Sequence, residues 1–125
     1  MGTLSVDNIE ERSTGKSQNS LSGQAKAWSS FDGEGVLPEY SSFNVAGYVD
    51  NGVGDYTVTI SADMSDTNYC VNCLLNGEGA GAVMAPYYNP RASAAGSYRM
   101  STRRCDNSNF ADTGDVNYSF FGDLA

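Results

Sequence analysis

Cys70 and Cys73 form a C-x-x-C, the spacing used by zinc sites and redox pairs. They lie in TNYCVNCLL, whose alternation reads as a strand, so the two thiols fall on opposite faces about 10 Å apart. That separation forbids a disulfide between them. The chain has three Cys and no His, which leaves a metal site without its second half. Reduced, partly buried thiols and an intracellular assembly site are the expectation. The lack of His also removes Ser-His and Cys-His nucleophile pairs. No cofactor, no metal and no catalytic residue are expected.

Three further stretches imitate ligand motifs. STGKS at 13–17 resembles the end of a phosphate-binding loop, but Glu10 stands where the first Gly belongs and no strand precedes it. Gly77-x-Gly79-x-x-Ala82 imitates a dinucleotide fingerprint, which needs a helix to present its N-terminal amides. AVMAPYYNP follows instead, and Pro86 and Pro90 exclude a useful helix, so a β-turn is the better reading. DNSNFADTGD at 106–115 gathers acids and Asn, yet Phe110 occupies a ligand position of the calcium loop, and a polar loop is expected. The remaining acids are scattered through turns, where Asp serves turn geometry, so a carboxylate pair for glycan hydrolysis is not evident.

The richest recognition chemistry lies in MAPYYNPRASAAGSYRMSTRR, residues 84–104. Tyr87, Tyr88 and Tyr98 offer flat faces that can stack on sugar rings and still hydrogen-bond. Asn89 can donate and accept, and Arg91, Arg99, Arg103 and Arg104 can grip phosphate or carboxylate through paired N–H groups. The plainer reading stands beside it: the tyrosines pack, the arginines neutralise Asp106, Asp112 and Asp115, or both lie between subunits. Surface ion pairs of that type contribute about 0–1 kcal/mol.

These residues must be held by β-structure. The chain has 125 residues, enough for one domain, with 14 Gly, 8 Tyr and few Leu, a composition suited to strands. No window keeps helical spacing for three turns, and no apolar run approaches the ~18 residues of a membrane span. Residues 1–24 lack the basic start and apolar block of an export signal and read as a polar neck or linker. The net charge of −8 argues against nucleic acid as a partner. Strands are expected near 25–31, 40–49, 54–62, 67–75, 82–88, 97–104 and 116–122. In the third, Tyr56, Val58, Ile60 and Ala62 share a face. In its predecessor Phe43, Val45, Gly47 and Val49 do. Asn51-Gly52 is expected to make the tight turn between them, with Gly54 allowing a bulge or a wider loop. Trp28, in the first strand, is expected in the core or on a subunit axis.

Several segments in one order carry a resemblance: Ala25-Lys26-Ala27-Trp28, Phe31 with Gly33 and Gly35, Ser42-Phe43-Asn44-Val45, Asp50-Asn51-Gly52 with Gly54-Asp55-Tyr56-Thr57-Val58, then Met64 and Asn68-Tyr69. Residues 25–70 resemble a domain near the C-terminal ends of tailed-bacteriophage tail fibres and related virion proteins, and VNYSFFGD resembles its last strand. Asn8-Ile9-Glu10-Glu11 with Thr14-Gly15 resembles the connector before such tips. Ser29-Ser30 departs from the usual apolar-plus-Asn pair, and 74–115 has no counterpart.

The resemblance implies an antiparallel β-sandwich of about seven strands over 25–125, assembled as a homotrimer on a virion built in the host bacterial cytoplasm. It implies a non-enzymatic fibre tip that contacts a bacterial surface glycan or protein, with the neck meeting other virion proteins. No contact with nucleic acid and no membrane insertion are expected. A capsid-decoration or fibre-assembly domain is the alternative, and a polysaccharide depolymerase the more distant one.

Overall fold

The computed structural model describes residues 2–3, 5, 23–76 and 93–125, together with the strand placement of 84–87. The expected neck at 1–24 lies almost wholly outside the described residues, as do the STGKS and Gly77-to-Ala82 stretches.

Nine strands follow in chain order: β1 (Ala25–Phe31), β2 (Glu39–Phe43), β3 (Val45–Gly52), β4 (Asp55–Ile60), β5 (Cys70–Leu75), β6 (Met84–Tyr87), β7 (Ser93–Ala94), β8 (Ser97–Arg104) and β9 (Val116–Phe121). They form two antiparallel sheets, one ordered β2-β1-β9-β5 and the other β3-β4-β8-β6 with β7 also on β8. The described residues are all-β, with no helix.

The two inner faces meet in an aromatic core. β1 and β9 supply Ala27, Phe31, Val116, Tyr118 and Phe120, while β4 and β8 supply Tyr56, Val58, Ile60, Tyr98 and Met100. Phe31 lies edge-on to Tyr56 at 5.5 Å and to Tyr118 at 6.0 Å, and Phe120 lies edge-on to Tyr98 at 5.6 Å. Such pairs add about 0.5–1.5 kcal/mol each beyond the area they bury. Because these rings come from both sheets, they fix one sheet against the other.

The alternation of β4 holds for Tyr56, Val58 and Ile60, all buried, and ends there, leaving Ala62 exposed beyond the strand. The expected strand over 40–49 is two strands. Asn44 adopts a left-handed conformation with φ of 56° and breaks the run between Phe43 and Val45. Its amide donates to the carbonyl oxygens of Lys26 and Ala62 at 2.9 and 3.1 Å, and its side-chain oxygen accepts the Ala62 N–H at 2.7 Å. Asn44 therefore pins the chain where it leaves one sheet for the other. A bulge between Val45 and Gly47 shifts parity again. Val45 and Tyr48 pack on the core, while Phe43 and Val49 are exposed, so the expected shared face is corrected.

The β3–β4 hairpin exists, with its devices exchanged. The turn falls on Val53-Gly54, and the irregularity lies between Asp50 and Gly52. Gly54 has φ of 61°, and a Cβ there would lie 2.6–2.8 Å from backbone atoms of Thr102 and Ala111. The close approach of the 111–112 loop therefore demands glycine at 54. That loop is the expected polar segment, and it serves packing. Asp112 accepts the Gly54 N–H at 2.7 Å and the Tyr56 hydroxyl at 3.0 Å, while Thr113, fully buried, donates to the Asn76 carbonyl.

Candidate binding face

β1 alternates strictly from Ala27 onward. Ala27, Ser29 and Phe31 are buried, so Trp28 and Ser30 project from the opposite side of the sheet. Registration carries this face across three strands. Trp28 pairs with Ser119 and Ser119 with Asn72; two residues along, Ser30 pairs with Asn117 and Asn117 with Leu74. On the other flank Trp28 pairs with Phe43 of β2.

The result is a shallow depression of about 400 Å³. Ser30 and Ser119 are its small, polar floor. Trp28, 38 % exposed, and Leu74, 73 % exposed, stand at opposite corners of the grid. Strand spacing and rise place these corners about 12 Å apart. Asn72 and Asn117 complete it, and among the described residues neither amide has a side-chain hydrogen bond within the chain. None of these six side chains is titratable.

The sheet beneath is held by its own polar contacts. Ser29, buried under Trp28, shares a hydrogen bond with the Tyr48 hydroxyl, which donates to Glu39 at 2.7 Å. Burial pushes the Tyr48 hydroxyl up to about 12. Burial also pushes the Cys73 thiol up to about 12, whereas Cys70, on the other side of β5, is exposed. The C-x-x-C thus straddles the sheet as its alternation predicts. At the edge of the face the Tyr40 hydroxyl is held above its ordinary value, by desolvation first and then by Asp32, Asp115 and Glu34. An acidic rim therefore lies beside an uncharged floor.

The residues selected from sequence for recognition do not converge in this way. Tyr88, Asn89 and Arg91 lie outside the described residues, and Tyr87 ends β6 opposite Ser101. Tyr98 is corrected outright: it is 7 % exposed and its ring packs on Phe120, because it shares the inward parity of Met100. Arg99 and Arg103 project from the outer side of β8, and Arg104 ends the strand with the opposite parity. Arg99 makes a two-pronged contact with Asp55, 2.8 Å from Nε and 2.6 Å from a terminal nitrogen. Arg104 holds Asp106 in the same manner at 3.1 and 2.8 Å. The Arg103 guanidinium lies 4.1 Å over the Phe110 ring. Arg104 thus pairs with one of the acids that the plainer alternative named, while Arg99 neutralises Asp55, which it did not name.

Sequence reasoning placed Trp28 in the core or on a subunit axis, and missed the face it builds. The signal was present in AKAWSSF: Ala27 and Phe31 have the core parity, and Trp28 has the other. No family model, curated protein or solved structure matches the chain.

Proposed function

We propose that this chain is a non-enzymatic virion module, the receptor-contacting tip of a phage tail fibre, working as a homotrimer on a bacterial surface glycan or protein. Two things support this reading. The segments at 25–70 resemble such domains, and the described frame is a pair of antiparallel sheets locked by interleaved aromatic rings. The observation that carries it is the Trp28 face, an exposed aromatic side chain over an uncharged, amide-lined depression. Exposed apolar surface rimmed by polar groups marks interaction sites.

The same face favours a second reading. Trp28 and Phe43 are neighbours across β1 and β2, both exposed, and an interface with another virion subunit would cover them. Under that reading the chain is a fibre-assembly or decoration domain.

Binding of the labelled full chain to host bacteria, with competition against virus adsorption, separates the two. Adhesion and competition at micromolar concentration are the expected result. No adhesion, with capture of capsid or tail components instead, would favour the assembly reading.

A further inference from the structure

We propose that the depression beside Trp28 is a binding site for a neutral saccharide, and that it excludes anionic glycans; this rests on the adhesion reading above. The arrangement has three parts. Trp28 supplies a π face that can lie against the apolar side of a sugar ring. Asn72 and Asn117 each present an acceptor oxygen and two N–H donors, the pairing that adjacent hydroxyl groups require. Leu74 closes the far corner, so a chain of sugar rings lying across β1, β9 and β5 meets apolar surface at both ends and amides between them. The volume, about 400 Å³, is within the range of small-molecule sites.

Charge fixes the class of sugar. The six outward side chains are not ionisable, burial keeps the Cys73 thiol and Tyr118 hydroxyl beneath them neutral, and the chain as a whole carries a net charge of −8. Asp32, Glu34 and Asp115 gather around Tyr40 at the margin of the same sheet. A carboxylated or phosphorylated glycan would meet repulsion there, with no cation among the described residues that line the depression to offset it. The arginines among the described residues lie on β8 of the other sheet, with Arg99 and Arg104 already engaged by Asp55 and Asp106. A neutral ligand is indifferent to this field, so its affinity is independent of salt.

Trp28 is the only tryptophan of the chain, so its emission reports on this face alone. The test is a fluorescence titration of the full chain with hexasaccharides of glucose, galactose, mannose, N-acetylglucosamine and rhamnose. Oligogalacturonate is the acidic comparison. A saturable change with at least one neutral probe, equal at about 0.1 and 1 M salt, is expected. By calorimetry, Asn72→Ala and Asn117→Ala should each weaken that probe about five- to tenfold, and Trp28→Ala should abolish binding. No response to any neutral probe, a preference for oligogalacturonate, or a Trp28 signal that follows protein concentration alone would overturn the inference. In the last case a second copy covers the face. Adhesion to cells without a saccharide response would sink this inference and leave the adhesion reading standing. A saccharide response without adhesion would do the reverse.

Discussion

The outer faces of the two sheets are built from similar strands and have opposite character. On β3, β4 and β8 the polar groups are used internally: Arg99 closes on Asp55, Asn51 donates to Thr57 at 2.8 Å, and Arg103 lies over Phe110. Around the depression on β1, β9 and β5 the six outward side chains are neutral, and Asn72 and Asn117 have no side-chain partner among the described residues. Charge in the sequence therefore does not by itself mark an unpaired group in the fold. Arg99 and Arg104 find acids within the fold, whereas Asn72 and Asn117 have no side-chain partner among the described residues. The face with less apparent chemistry is the one whose amides have no side-chain partner among the described residues.

The comparison presumes one rigid frame, and the largest expected effect tests that. Phe31→Ala removes the ring that touches Tyr48, Tyr56 and Tyr118, and should cost about 3–5 kcal/mol in chemical denaturation. Loss of that order from a domain stable by about 5–15 kcal/mol would be plain. A cost below about 1 kcal/mol would mean that the sheets do not share this core.

Gly54→Ala comes next. Its positive φ and the backbone of Thr102 and Ala111 around it predict a loss of about 1–3 kcal/mol by the same measurement. An unchanged midpoint would contradict the packing of the 111–112 loop on the hairpin.

Thiol labelling sharpens the distinction between the two sides of β5. In the native protein Cys70 and Cys105 should react with a disulfide reagent at neutral pH, while Cys73, partly buried and with its thiol pushed up to about 12, should react only on unfolding. Equal rates for Cys70 and Cys73 would remove the assigned alternation of that strand.

The smallest effect belongs to Arg99. Its hydrogen bonds hold the Asp55 carboxyl below the ordinary value of 3.8. The stabilisation is then complete above that value and is lost as pH falls through the lower folded value. Arg99→Ala should therefore lower stability slightly at neutral pH and leave it unchanged in strong acid. A difference between the proteins that grows on acidification would contradict the pairing.

Much of the frame was legible in the sequence. The spans 25–31 and 97–104 coincide with β1 and β8, and the parity of Tyr56, Val58 and Ile60 holds because one face of each strand is apolar. What alternation did not disclose was the switch at Asn44. There a single left-handed residue, tied to Lys26 and Ala62 by tertiary hydrogen bonds, turns one apparent strand into members of two sheets. The candidate site was hidden for a related reason. Trp28, Asn72 and Asn117 are separated by 44 and 45 residues in sequence and meet only through the β1–β9–β5 register. The Tyr/Arg segment drew attention because its chemistry is local. Tyr98 is core by the parity it shares with Met100; Asp106 stands two residues from Arg104 and was legible as its partner, whereas Asp55 meets Arg99 only through tertiary geometry.

Adhesion of paired variants to host cells tests the central claim most directly. The full chain, a Trp28→Ala/Asn72→Ala/Asn117→Ala variant, and an Arg99→Ala/Arg103→Ala/Arg104→Ala variant would be compared, each first shown to be folded. The account predicts loss of adhesion for the first variant and retention for the second. Retention in the first with loss in the second would contradict it and return recognition to the arginines of β8.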